Sequence, residues 1–470
     1  MSADEALRLL RENDVRFINL QFTDLYGKLR QTSISSWTID KSVFERGLPK
    51  LDGSSIQGFV EIYDSDMVLK PDPSTFALIP WLRENGQKTA RFLCDIYQGY
   101  GKGRFSRDPR WIAEKSRNYA KELGYDVLSA AEVEFFVFDK VSWNVLASYK
   151  EASYKVESLE TPWNPSADYP IRFKEGYYPT EPQDTLAMIR GESVVLLEDY
   201  FGVKCLVHHH EVASSQCEIN MIPGDIVATA DNIMTLKYVV RNVAKKHGKV
   251  ATFMPKPIFA DNASGMHVHM SLWKGGENAF YDESDEYAEL SQTGRYFIGG
   301  LLEHARSLSA ITSPTTNSYK RLVPGYEAPV YLAWSRGNRS AAVRVPIYQK
   351  GENKSKRIEY RPPDPSCNPY LALSAILLAG LDGVKKKIDP GDPVDENIYS
   401  MPAEKRKSLG IRELPKNLWE AVEALRSDNE YLKPAFTEDV IEKIIEKEER
   451  DLRELEMRPH PYEFQLYFDI

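Results

Sequence analysis

The stretch AEVEFF places the strongest constraint on what this chain can fold into. Glu132 and Glu134 stand two apart, among Ala130, Ala131, Val133, Phe135 and Phe136. In an extended strand alternate residues share a face, so both carboxylates point the same way. A carboxylate pair embedded in apolar residues is costly unless cations compensate it. The fold must therefore bring positive charge or metal to that face.

The same geometry recurs. His267 and His269 are two apart in GMHVHMS, as are Arg357, Glu359 and Arg361 in KRIEYRPP. Glu211 ends the run HHHE, and Glu218 follows it in the same segment. Any one such pair reads as a solvated strand face, and a lone histidine as a structural residue. Their recurrence argues for a site. Glu132, Glu134, Glu211, Glu218 and Glu359 with one histidine form a hard, oxygen-rich donor set, suited to Mg²⁺ or Mn²⁺ rather than thiolate-bound zinc. Arg321, Arg339, Arg344, Arg357 and Arg361 carry the opposite sign, and guanidinium forks bind carboxylates and phosphates. Metals with several arginines suit phosphoryl transfer. GxxxxGK[ST] and GxGxxG are both absent from the sequence, which sets aside P-loop and dinucleotide folds. Residue logic alone thus reaches metal- and ATP-dependent phosphoryl transfer to a small acid.

A chain of 470 residues implies two or three domains. A net charge of −9 argues against nucleic acid as a partner. The first residues, MSADEALRLLRENDV, are acidic and amphipathic and do not read as a signal peptide. The longest apolar stretch, LALSAILLAGL, falls short of the roughly 20 residues a membrane span needs. It reads as a buried helix with Asn368 as N-cap and Pro369 in its first turn. The four cysteines form no CxxC pair, and a reduced, cytoplasmic compartment is expected. A helix over 4–13 precedes a strand in which Ile18, Leu20 and Phe22 alternate with polar residues, then a turn at Tyr26–Lys28 and a second strand. The Gly-rich segment 99–109 suggests a domain boundary, drawn at 103/104. Helices are expected over 111–123, 184–201, 226–247 and 289–310, with strands over 127–139, 204–221 and 251–273. Residues 140–180 read as an inserted loop.

At these motifs the chain resembles type I glutamine synthetases, nearly end to end. DGSSIQGF, YDSDMVLKPD, AEVEFF, HHHEVASSQCE, MPKPIFADNASGMHVHMS, NSYKRLVPGYEAPV, NRSAAVRVP, KRIEYRPPDPSCNPYLA and MRPHPYEFQLY carry the resemblance. It implies an α+β fold. A small N-terminal β-grasp domain, residues 1–103, would precede a larger catalytic domain, residues 104–470, with a curved antiparallel sheet flanked by helices. It also implies a dodecamer of two stacked hexamers, with each active site between the N-terminal domain of one subunit and the catalytic domain of its neighbour. The activity implied is glutamine formation from glutamate, ammonia and ATP through a γ-glutamyl phosphate, with two to three Mg²⁺ or Mn²⁺ per subunit.

Carried over motif by motif, Glu134, Glu211 and Glu218 hold one metal, and Glu132, His267 and Glu359 the other. Glutamate meets Glu134, Asn262, Ala263, Arg321, Glu327 and Arg361. ATP meets His269, Ser271, Arg339, Arg344, Lys354 and Arg357. Asp52, Ser55, Tyr177, Glu211 and Glu327 form the ammonium site, and the catalytic set is Asp52, Glu327, Arg339 and Arg361. A carboxylate such as Asp52 is needed because ammonium must lose a proton to become a nucleophile. The family's DNGSG loop is DNASG here, with Ala263 for glycine. NIYSMP resembles a loop adenylylated at its tyrosine in some members. Ser400 replaces an acidic residue there, so Tyr399 is expected to stay unmodified. Two alternatives share the scaffold: a γ-glutamyl ligase for a polyamine or other amine, and an inactive regulatory homologue.

Overall fold

The structure is a computed structural model that describes residues 1–62, 65–326 and 328–470. A mixed sheet forms near the N-terminus. Phe17–Thr23 pairs antiparallel with Leu29–Ser35 and parallel with Thr89–Tyr97. Asp66–Pro71 and then Leu48–Asp52 extend the sheet beyond Thr89–Tyr97. Ile18, Leu20 and Phe22 enter the core as their alternation predicts, yet Asn19, Gln21 and Thr23 are buried as well. For Gln21 the helix Ile226–Lys246 explains the burial. Arg91, on the neighbouring strand, donates to Gln21 Oε1 at 3.1 Å and to Thr235 Oγ1 of that helix at 2.8 Å. Asn19 accepts from Ser33 Oγ at 2.6 Å within the sheet, so polar groups on this face are paired rather than exposed, as buried polar groups must be.

The larger sheet runs in the order Cys205–His210, Gln216–Met221, Asp126–Phe138, Met266–Lys274, Ile358–Tyr360, Ala341–Arg344, Tyr331–Ser335 and Arg412–Glu413. Its central strands separate their side chains by parity. Val127, Ala131, Val133, Phe135 and Val137 lie in the main core, with Met266, Val268, Met270 and Leu272 from the next strand and Cys217, Ile219 and Met221 from the one before. The intervening residues, Glu132, Glu134, His267, His269 and Glu218, lie on the other face. Phe136 and Phe138 belong to that second face and form a small separate cluster with Ala213 and Ile258.

Helices Ile226–Lys246, Gln292–Thr312 and Pro369–Lys386 supply the opposite side of the main core. The last contains the expected apolar stretch. Asn368 caps it by accepting from Tyr370 N at 3.2 Å, and its amide donates to Asp24 O and Leu25 O of the small domain. Burying each of Leu373, Ile376, Leu377 and Leu381 contributes roughly 1.5–3 kcal/mol. Helices Gln292–Thr312 and Pro369–Lys386 meet backbone to backbone. A Cβ on Gly383 would stand 2.2 Å from Tyr296 O and 2.5 Å from Gly300 N.

Three expectations are refined. The segment 204–221 is a hairpin of two strands, because Ser215 takes a left-handed φ of 67° and reverses the chain. The segment 251–273 is interrupted between Val250–Thr252 and Met266–Lys274, where Pro255 and Pro257 cannot donate to a ladder. The inserted segment 140–180 begins with a hairpin, Lys140–Asn144 against Ser153–Glu157. Among the described residues no helix is long and apolar enough to cross a membrane. All four cysteines are free.

Candidate active site

The charged residues form rows across the sheet because their strands are in register. Glu218 stands opposite Glu134, and His209 opposite Glu218. Glu132 stands opposite His267, His269 opposite Glu359, and Glu359 opposite Arg344. Cross-strand partners lie within side-chain reach, so residues far apart in sequence converge.

One convergence joins Glu132, His269 and Glu359, whose ligand atoms lie within 4.8 Å of one another. Glu132 accepts from His267 Nδ1 at 3.0 Å and from His269 Nε2 at 2.8 Å. His267 Nδ1 is also 3.8 Å from Glu359 Oε1. Glu359 is fully buried and takes Arg361 Nη1 at 2.6 Å and Arg344 Nε on its other oxygen. Burial pushes the Glu359 pKa up, but Arg361, His267, His269 and Arg344 outweigh it and bring it down to about 2. Burial likewise opposes ionisation of Glu132, and the two histidines more than offset it. Arg357 Nε faces His269 Nδ1 at 3.1 Å.

The second convergence joins His209, Glu211 and Glu218, again within 4.8 Å. Glu134 stands beside it. Gln216 Nε2 at 2.8 Å and Gly265 N at 2.9 Å donate to its Oε2. Its carboxyl is held well above the usual range, first by burial and then by the Glu211 and Glu218 charges. Carboxylates that repel one another in a buried place, with few N–H donors, fit a divalent cation with hard ligands. The histidine–carboxylate group around Glu132 and Glu359 fits a second one.

Gly265 lies between these groups. A Cβ there would be 2.7 Å from Arg321 Nη2, 3.0 Å from His267 Nε2 and 3.2 Å from Glu134 Oε1. Arg321 itself is pinned by Pro362 O at 2.6 Å and Arg361 O at 3.1 Å. Neighbouring Asn262 is buried and Ala263 partly so. Ser271 is buried and accepts from Trp273 Nε1 at 3.0 Å. Tyr177 stacks on Tyr178 at 4.0 Å, and Tyr178 meets His209 edge-on at 4.7 Å.

Asp52 and Lys354 stand apart from this centre in their contacts, while Arg339 acts electrostatically on Tyr177. Asp52 is exposed, and its oxygens accept from Ser54 N and Oγ and from Ser55 Oγ of its own turn. Those hydrogen bonds lower its pKa. Lys354 is exposed, and Arg339 lines an open cavity of about 620 Å³ with Arg336, Asn338 and Tyr399. The Tyr399 hydroxyl donates to Ala328 O at 2.7 Å. Glu327, with Tyr63 and Asp64 of the YDSD motif, lies outside the described residues. Sequence reasoning passed over His209 and Gln216. His209 was readable, since it stands two before Glu211.

Two carboxylate-rich centres lie beside converging arginines on a sheet that is antiparallel except between Tyr331–Ser335 and Ala341–Arg344, an arrangement suited to metal-assisted phosphoryl transfer. Residues 14–99 match the family model described as the glutamine synthetase beta-Grasp domain, and residues 106–467 match the glutamine synthetase catalytic domain. A glutamine synthetase of Sulfolobus acidocaldarius is 55% identical over 467 residues, covering 99% of this chain and 98% of that protein. One from Aquifex aeolicus is 45% identical, covering 99% of each. A cryo-EM structure of Plasmodium falciparum glutamine synthetase superposes with a TM-score of 0.89 at 29% identity, covering 99% of both chains. The chain belongs to the glutamine synthetase family.

Proposed function

We propose that the protein condenses L-glutamate with ammonia, at the expense of ATP, through a γ-glutamyl phosphate. The observation that supports this most directly is the register of the sheet. It sets the carboxylate rows beside Arg321, Arg344 and Arg361, pairing cation ligands with phosphate and carboxylate binders. Glu134, Glu211 and Glu218, with His209 alongside, hold one Mg²⁺ or Mn²⁺. Glu132, His267 and Glu359, with His269 at the same point, hold the other. These cations supply charge neutralisation for the transferred phosphate.

The chain's own groups do the rest. Arg321 and Arg361, with Asn262 and Ala263, orient glutamate, and Arg339 and Arg361 face the phosphate as it moves. His269, Ser271, Arg344, Lys354 and Arg357 hold ATP. Tyr177, Ser55, Glu211 and Glu327 attract ammonium, and Asp52 takes its proton. By the resemblance, Asp52, which is exposed and bonded within its own turn, serves a neighbouring subunit's site in a dodecamer of stacked hexamers. We place the domain boundary at 103/104, between segments matched to two family models, and the enzyme in the cytoplasm.

The test is γ-glutamyl product formation with ATP and Mg²⁺, comparing ammonia with putrescine. Preference for ammonia is expected. Preference for putrescine would make the protein an amine ligase, and no turnover with either would make it an inactive homologue.

A further inference from the structure

A third acidic–histidine group lies behind the metal-binding hairpin: Glu160, Asp184 and His210, with ligand atoms within 4.8 Å. Its side chains are held by the protein at every ligand atom. Asp184 is taken by Arg190 through both oxygens. Glu160 Oε1 accepts from Thr185 N at 2.9 Å and Thr185 Oγ1 at 2.8 Å. Glu160 Oε2 accepts from Ser215 N at 2.8 Å and faces His210 Nε2 at 2.9 Å. His210 Nδ1 lies 2.8 Å from Gly176 O and 2.7 Å from Glu211 O. Each ring nitrogen faces oxygen acceptors, so each donates.

The partners are what make the group informative. Glu211 is a metal and ammonium residue, and Gly176 precedes Tyr177. The two segments are pressed together here: Gly176 N donates to Val212 O at 2.9 Å, and a Cβ on Gly176 would be 2.8 Å from Val212 O and 3.0 Å from Glu211 O. The turn 211–215 is thus gripped at both ends, at Glu211 O by His210 and at Ser215 N by Glu160. Ser215 holds the left-handed backbone that reverses the hairpin. Glu160 comes from the segment that sequence reasoning took for an inserted loop.

We propose that the buried Glu160–His210 pair is a positioning unit, which fixes the Glu211 carboxylate and the Tyr177 ring relative to each other by holding the backbone carbonyls of Glu211 and Gly176 on one imidazole N–H. The proposal rests on the roles given above to Glu211 and Tyr177. Glu160 and His210 are both almost completely buried. Outer partners that orient ligating groups typically change metal affinity or activity by about 10–100-fold when removed.

The experiment compares His210→Gln with His210→Asn in the assembled enzyme. Glutamine retains a donor near the Nε2 position, towards Glu160, and loses the one shared by the two carbonyls. Asparagine retains a donor near Nδ1. His210→Gln is expected to raise the ammonium KM, and the Mn²⁺ concentration giving half-maximal activity, by about tenfold or more, with the ATP KM within about twofold. His210→Asn should lie much closer to wild type. If His210→Gln fails to assemble, Gly176→Ala forces the same two segments apart and should show the same selective rise. The proposal is overturned if these variants lose only thermal stability, or if ammonium and ATP KM values move together. A wild-type enzyme that makes no glutamine from ammonia would sink the functional reading instead.

Discussion

Glu359→Gln keeps the volume of a fully buried side chain and removes its charge. In the wild type, burial disfavours the carboxylate, while Arg361 first, then His267, His269 and Arg344, favour it and bring its pKa to about 2 from the ordinary 4.5. At about 1.4 kcal/mol per pH unit, that is on the order of 3 kcal/mol of stability. The sign follows from a depressed folded-state pKa: the contribution is present in full above pH 4.5 and is lost as pH falls towards 2. Glutamine forfeits it at neutral pH and leaves two guanidinium groups facing a neutral amide. Removing one partner of a buried pair costs about 3–5 kcal/mol, which agrees. With about 2.1 cal/mol/K of unfolding entropy per residue, a chain this long should lose about 3 °C in Tm. Its kcat should fall at least about 100-fold, because the same substitution removes a metal ligand and unsettles Arg361. Scanning calorimetry at fixed protein concentration and steady-state phosphate release at ordinary Mg²⁺ read the two effects. An unchanged Tm with near-normal kcat would refute both the ion-pair reasoning and the ligand role.

Asp52→Asn should lose glutamine formation far more than ATP binding measured by calorimetry. Mixed assemblies of Asp52→Asn and Glu359→Gln subunits should regain activity, and verified mixtures that stay inactive would place the whole site within one chain. Gly383→Ala drives a methyl group into Tyr296 O and Gly300 N; it should cost about 3 kcal/mol, and an unaltered Tm would mean that the helices stand farther apart. His304 is buried between Asp428 and Asp382, each at 2.9 Å, and those carboxylates raise its pKa against the opposing effect of burial. Its contribution is full below about pH 6.5 and fades above, so the Tm gap between wild type and His304→Gln should narrow between pH 6.5 and 9, and a constant gap would contradict this.

The site-bearing strands were legible because their signal is local. Glu132 with Glu134, His267 with His269 and Arg357 with Glu359 and Arg361 each announce a shared face within five residues. The hairpin at 211–215 was not legible, since its reversal depends on Ser215 in a conformation that usually signals glycine. Pro255 and Pro257 did mark the break before Met266, and strand-like composition around them hid it. The burial of Gln21 depends on a helix more than 200 positions away, and no window of sequence reports that. Nor does spacing say which histidine meets which carboxylate. His269 joins Glu132 and Glu359 only because of strand register.

That register gives the site something like a reading frame. Helix-side and site-side residues alternate along Asp126–Phe138, Met266–Lys274 and Gln216–Met221, so the strands encode two messages interleaved one letter apart. A single residue inserted after Ala130 would turn Glu132 and Glu134 towards the helices and put Ala131 and Val133 in their places. Fold and chemistry would fail together, from one frameshift in space. Changes of length can be absorbed only where the alternation has lapsed, as in the turn between Lys140–Asn144 and Ser153–Glu157, and redesign of this scaffold has its freedom there.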